Sequence, residues 1–338
     1  MSVTTRCRTI ELKLQTPFRL SRGASTVRRN VIFEVERDGV VGRGEAAPIA
    51  RYGESSESAT EALEAMARAA DLDPAAFAEE GARLAVPGQR AAQAAFDMAL
   101  HDLAARSAGL PVREMLGIGG RPLAPTSWTI GLDPIPEALQ KVRDSEAFSV
   151  LKLKMGAEGD MELLRAVRGA TDRPIRVDAN EGWTLDDATR RLEELAELGV
   201  EFVEQPLPEA KLEETRELRR RSPLPLLADE NVHDASDIPK LVGAFDGINV
   251  KLAKCGGIAP ALALIATARA HGLKILLGCM VESSLGIAAA LAIAPLVDWI
   301  DLDGNQLIDG DPFEGLDMVD GRQLLPNGPG LGVEPRAE

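Results

Sequence analysis

From Thr126 onward the chain repeats one pattern: a short apolar run, a charged residue, then a longer amphipathic stretch. The apolar runs span 126–130, 150–154, 175–178, 202–204, 226–229, 247–251, 275–279 and 299–303. Between them lie segments of helical period, among them 161–170, 185–198, 212–221, 260–270 and 285–294. Strands that alternate with helices run parallel, because each helix is the crossover that returns the chain to the same end of the sheet. Eight such strands predict a TIM-type α/β barrel. A doubly wound sheet is the alternative, but no GxGxxG motif follows the first strand.

The first third reads differently. Residues 31–37 (VIFEVER) alternate apolar and polar, Asp38-Gly39 supplies a turn, and residues 40–45 resume, which is a hairpin signal. Helical stretches follow at about 57–70 and at 91–107, where Ala95, Met98, Ala99, Asp102 and Leu103 share a face and Gly109 and Pro111 end the run. Strands followed by helices predict an α+β domain over 1–118, joined through the Gly/Pro-rich stretch 117–125 to a barrel over 119–315. A short segment, 316–338, remains after the barrel.

The charges that end the strands are Lys152 and Lys154, Asp178, Glu204, Asp229, Lys251, and Asp301 with Asp303. In a parallel barrel these ends ring the active-site mouth, and a buried strand has no structural use for an unpaired charge. Asp178, Glu204 and Asp229 follow one another at 26 and 25 residues, one βα unit each, so they come from three neighbouring strands. Oxygen ligands converging without Cys or His suit a hard cation, and Mg²⁺ fits better than Ca²⁺ or Zn²⁺. Lys152 and Lys154 are two apart on one strand and face the same side. Two close cations lower one another's pKa, which favours a base near neutrality. Lys251 lies four strands away, across the barrel. Bases on opposite faces of one carbon permit inversion.

Other features narrow the class. Lys and Arg number 38 against 53 Asp and Glu, a net charge of −15, and no basic stretch interrupts it, which argues against a nucleic-acid partner. Cys7, Cys255 and Cys279 show no CxxC spacing and read as free thiols in a reducing compartment. The N-terminus lacks the apolar core of a signal peptide, and the most apolar run, 286–297, falls short of a membrane span, so a cytoplasmic protein without a membrane partner is expected.

These residues together resemble the enolase superfamily, specifically its muconate-lactonising subgroup and within it the dipeptide epimerases. The resemblance runs from TPFRLSRG at 16–23 and RYGES at 51–55 to Asp301-Leu302-Asp303-Gly304. It implies a (β/α)7β barrel with an N-terminal α+β capping domain completed by the C-terminal segment. It further implies Lys154 and Lys251 as general acid–base catalysts, Lys152 at the substrate carboxylate, and Asp178, Glu204 and Asp229 on one Mg²⁺ per subunit. The physical logic is independent of the name: a proton α to a carboxylate is too weakly acidic for an amine alone. A divalent ion with Lys152 beside it stabilises the enediolate more than the ground state.

His101, His233 and His271 match no strand-end His–Asp dyad, so the mandelate-racemase-like branch fits poorly. The resemblance assigns the Asp301/Asp303 pair to the α-ammonium of a dipeptide, with the backbone near Cys279 also touching substrate. Arg22 resembles the arginine that pairs with an acidic side chain in Ala-Glu epimerases, with Arg19, Arg28, Arg29 and Arg51 as substitutes. The expected substrate is therefore an L-Ala-D/L-Glu-type dipeptide, as arises in peptidoglycan turnover. Thr129 on the first barrel strand is a further candidate substrate contact, while Glu282 has no assigned role. Alternatives are a succinylbenzoate synthase, an N-acylamino acid racemase or a cycloisomerase, or a metal-binding barrel without catalysis. A homo-oligomer is open, since nothing in the chain marks an interface.

Overall fold

The computed structural model describes residues 3–20, 23–69, 84 and 86–337. Its N-terminal part is an antiparallel sheet of β1 (Val3–Leu20), β2 (Gly23–Arg37) and β3 (Val40–Ala46). The β2–β3 turn is the expected pair, with φ of 51° at Asp38 and 82° at Gly39, the left-handed geometry of a tight hairpin. Helices α1 (Ser56–Ala69) and α2 (Arg90–Ala108) cover one face of this sheet.

Helix α2 is the seam of the molecule. Its small residues let β3 approach so closely that a Cβ on Gly44 would stand 2.0 Å from the Ala95 carbonyl oxygen. Residues 91–105 of α2 are all buried, because β3 covers one side and the barrel covers the other.

The barrel is an eight-stranded parallel sheet in sequential order: β4 (Ser127–Ile130), β5 (Val150–Lys154), β6 (Ile175–Asp178), β7 (Val200–Glu204), β8 (Leu226–Ala228), β9 (Gly247–Lys251), β10 (Lys274–Gly278) and β11 (Trp299–Asp301). A parallel bridge between Thr126 and Ile300 closes it. The outer helices are α3 (Ile135–Asp144), α4 (Asp160–Ala170), α5 (Leu185–Glu197), α6 (Leu212–Arg221), the short α7 (Ile238–Leu241), α8 (Ile258–Ala270) and α9 (Ser284–Ile293). After β11 only a 3₁₀ turn follows, so the barrel is (β/α)7β. Low in the barrel, Phe202, Leu227 and Leu276 form an apolar cluster against Trp299.

The chain rejoins the first sheet earlier than the sequence suggests. Ile308 and Asp309 form β12 and pair with Leu14 and Lys13 of β1, before residue 316. The C-terminal segment then lies along the N-terminal domain: Glu334 meets Arg43 at 3.2 Å and Arg106 at 2.5 Å, and Asp102 Oδ1 accepts from the Leu331 N–H at 2.7 Å.

Two carboxylates of the N-terminal domain fix it over the barrel mouth. Asp97 of α2 accepts from the backbone N–H groups of Ile258 and Ala259, at the start of α8. Glu45 of β3 accepts from Ser283 and Gly286, at the start of α9. Each satisfies orphan donors and meets the positive end of a helix dipole. Both helices begin just after a strand's C-terminal end, so the caps set the height of the covering domain above the site.

Candidate active site

Alternation along a strand turns every second side chain inward. At the C-terminal ends this places Lys152 and Lys154 on β5, Asp178 on β6, Glu204 on β7, Lys251 on β9 and Asp301 on β11 inside the barrel, with Asp229 directly after β8. The sheet register sets Lys154 beside Asp178 and Asp178 beside Glu204.

All these groups are buried, and all are paired. Lys152 Nζ lies 2.7 Å from Glu204, 2.7 Å from Asp301 and 3.2 Å from Asp178. Lys154 Nζ donates to Asp178 at 2.6 Å, and Lys251 Nζ to Asp229 at 2.7 Å. Asn249 Nδ2 donates to Glu204 Oε1 at 2.7 Å, and the bare Cα of Gly278 leaves room for that amide.

The expected depression of the lysines by one another is outweighed. Burial lowers the Lys152 ammonium, but Asp301, Glu204 and Asp178 together hold it well above the ordinary lysine value. Lys251 is likewise raised, against burial, by Asp229 and Glu204. Carboxylates at contact distance act more strongly than a second ammonium further off.

Asp178, Glu204 and Asp229 each offer an oxygen, all within 4.8 Å of one another. The donor set is all oxygen, and burial followed by Asp178 pushes Glu204 up to about 7, the mark of a cluster short of positive charge. These residues fit a hard divalent cation.

Opposite the triad, Asp301 accepts from Ser127 Oγ at 2.5 Å and Lys152 Nζ at 2.7 Å. Asp303 accepts from the Thr129 N–H at 2.7 Å, and burial together with Asp301 pushes its carboxyl up to about 7. Thr129, Cys279, Asp301 and Asp303 line one cavity of about 560 Å³ together with Lys152, Lys154, Asp229 and Lys251. The N-terminal domain closes it with Phe18, Ala24, Arg28, Ile49, Arg51 and Tyr52. Arg51 ties this lid to the barrel loops through Glu181 at 2.7 Å and Glu209 at 3.5 Å. A separate groove of about 650 Å³, near Gln15, Asp311 and Arg336, holds none of the strand-end charges.

Arg22 lies outside the described residues. Among the described residues no histidine lines the cavity: His101 is buried against Asp97, His233 stands edge-on to Tyr52, and His271 is at the surface. The sequence reading missed Lys254, whose buried Nζ donates to the Asp229 carbonyl at 2.5 Å and to its carboxylate. Its signal was the three-residue step from Lys251, which the helical turn Leu252–Cys255 folds back onto the same acid. Also missed were Asn249 and Ser127, ordinary polar residues on barrel strands, recognisable only by their partners.

Residues 2–117 match the model of the mandelate racemase / muconate lactonizing enzyme N-terminal domain, and residues 135–338 match that of the enolase C-terminal domain-like family. The chain is 38% identical over 329 residues to the L-Ala-D/L-Glu epimerase of Bacteroides thetaiotaomicron, covering 96% of this chain and 85% of that protein. It is 36% identical to a hydrophobic dipeptide epimerase of Flavobacteria bacterium, with 97% of each covered. A solved dipeptide epimerase of Methylococcus capsulatus, complexed with Mg and L-Arg-D-Lys, superposes with a TM-score of 0.90 at 35% identity, over 98% of this chain and 99% of that one.

Proposed function

The chain belongs to the mandelate racemase / muconate lactonizing enzyme family of the enolase superfamily, and from that premise we propose that it is a Mg²⁺-dependent dipeptide epimerase inverting the α-carbon of the C-terminal residue. The observation that carries the reading is the shared cavity: amines from β5 and β9, four strands apart in an eight-strand ring, enter it on either side of the carboxylate triad.

Asp178, Glu204 and Asp229 would hold one Mg²⁺ per subunit. Bound there, it supplies positive charge to the substrate carboxylate and takes up carboxylate charge that otherwise pairs with the lysines. Lys152 orients the substrate α-carboxylate. Either Lys154 or Lys251 removes the α-proton, leaving a planar enediolate, and the other returns a proton to the opposite face. Asp301 and Asp303 receive the free α-ammonium, which separates this reaction from those of relatives acting on substrates without an amine. Thr129 and the backbone at Cys279 complete the wall around the peptide. The dipeptide is of the L-Ala-D/L-Glu type.

Incubation with Mg²⁺ and a dipeptide library in D₂O, followed by mass spectrometry, tests this. Deuterium is expected at the α-carbon of the C-terminal residue. Its absence across the library contradicts the proposal and favours a non-catalytic barrel.

A further inference from the structure

We propose that Thr126 and Gln323 position the ammonium pocket by fixing the two peptide units that join Asp301 to Asp303, an assignment that rests on the dipeptide-epimerase reading above. The pocket stands at the thinnest seam of the ring. Every other neighbouring pair of barrel strands shares a ladder of at least two residue pairs. Strands β11 and β4 meet, among the described residues, only through the bridge from Thr126 to Ile300. Asp301 still pairs with Gly278 of β10, but Leu302 and Asp303 lie past the end of the strand.

Side chains take the place of the ladder there. The Leu302 N–H donates to Thr126 Oγ1 at 2.8 Å, and the Leu302 carbonyl accepts from Gln323 Nε2 at 3.1 Å. The first bond holds the peptide between Asp301 and Leu302, and the second holds the peptide between Leu302 and Asp303. All three residues are buried, so bulk water does not replace either bond. Gln323 arrives from the C-terminal segment, where Met318–Val319 pairs with Arg322–Gln323 across a turn at Asp320 and Gly321, with φ of 50° and 69°. This hairpin docks beside the entry to β4: the Gly321 carbonyl accepts from the Thr126 N–H at 3.1 Å, and Arg322 donates to the Leu123 carbonyl at 2.6 Å. Gln323 Nε2 also donates to Asn305 Oδ1 at 3.2 Å, while its buried Oε1 makes no hydrogen bond among the described residues. An apolar side chain would fill the same place without an unmet acceptor, so packing alone does not account for the amide. What the amide supplies is a donor to the backbone between the two aspartates. With Ser127 on Asp301 and Thr129 on Asp303, the pair is fixed at both carboxylates and at both intervening peptides.

T126V and Q323M each remove one of the two bonds with little change in volume, and T126S keeps the hydroxyl. The experiment measures kcat and KM for L-Ala-L-Glu, together with Mg²⁺ affinity by calorimetric titration. T126V and Q323M should each raise KM by about 3- to 10-fold, the yield of one hydrogen bond. Turnover at saturation and Mg²⁺ affinity should stay within about twofold of the wild type, and T126S should match it. In a D303N background T126V should raise KM much less, because the charge it displaces is already gone. A fall in kcat or Mg²⁺ affinity as large as the rise in KM, or full additivity with D303N, would make both residues general scaffold. Either result, or an unchanged KM in both T126V and Q323M, overturns the assignment while leaving the epimerase reading intact. Absence of deuterium exchange with every dipeptide in the wild type overturns both.

Discussion

Replacing Asp303 by Asn tests the ammonium pocket most sharply. The amide keeps an acceptor for the Thr129 N–H, which Asp303 now holds at 2.7 Å, so the fold has little reason to change. What is lost is the charge facing the substrate amine. A hydrogen bond to a charged group in a buried site contributes about 1.5–3 kcal/mol, or about 10- to 150-fold in KM for a free dipeptide. An N-acylated dipeptide carries no ammonium and should lose much less. The pH dependence provides a second signature. Burial and Asp301 raise the Asp303 carboxyl to about 7, so it is mostly charged above that pH and mostly protonated below it. Dipeptide binding should therefore weaken as pH falls, by about tenfold between pH 8 and pH 6. D303N should flatten that limb. Equal damage to free and N-acylated substrates, or an unaltered acid limb in D303N, would refute the reasoning.

Three further outcomes follow from the same geometry. Lys254→Met removes the buried amine that holds Asp229 from behind, and Mg²⁺ affinity, read by calorimetric titration, should fall about 10- to 100-fold, as for other residues that orient metal ligands. Mg²⁺ should raise the Tm of chelator-treated protein, by the equivalent of about 2.7 kcal/mol at 100 times its Kd, and Glu204→Gln should abolish most of that rise. Gly44→Ala puts a methyl 2.0 Å from the Ala95 carbonyl oxygen, so the α2–β3 seam must open; thermal denaturation should show a loss of about 1–3 kcal/mol.

The barrel was legible because its strands carry their own punctuation. The predicted bounds for β5, β6 and β9 coincide with the observed ones, Val150–Lys154, Ile175–Asp178 and Gly247–Lys251, each an apolar run stopped by a charge that ends up buried inside the barrel. Strand β1 went unread. Ile10, Leu12 and Leu14 alternate with Glu11, Lys13 and Gln15, but only Ile10 and Leu12 are buried among the described side chains, so the apolar signal covers a short part of an 18-residue strand. Its partner β12 sits nearly 300 residues further on, a pairing that no local pattern encodes. The eight strand-end charges could be listed from the sequence, but not their pairing. That Lys152 bridges Glu204 and Asp301, and that Asp97 and Glu45 cap barrel helices from another domain, depends on closure of the ring and on the docking of α2.

Two-sided proton transfer is the central claim, and isotope exchange in single-lysine variants measures it directly. With Mg²⁺ in D₂O, K154A should exchange the α-proton of only one epimer of the dipeptide and K251A only that of the other, while neither interconverts them at more than about a thousandth of the wild-type rate. Exchange of the same epimer by both variants, or sustained epimerisation after loss of either amine, would mean that one face of the carbon does all the chemistry.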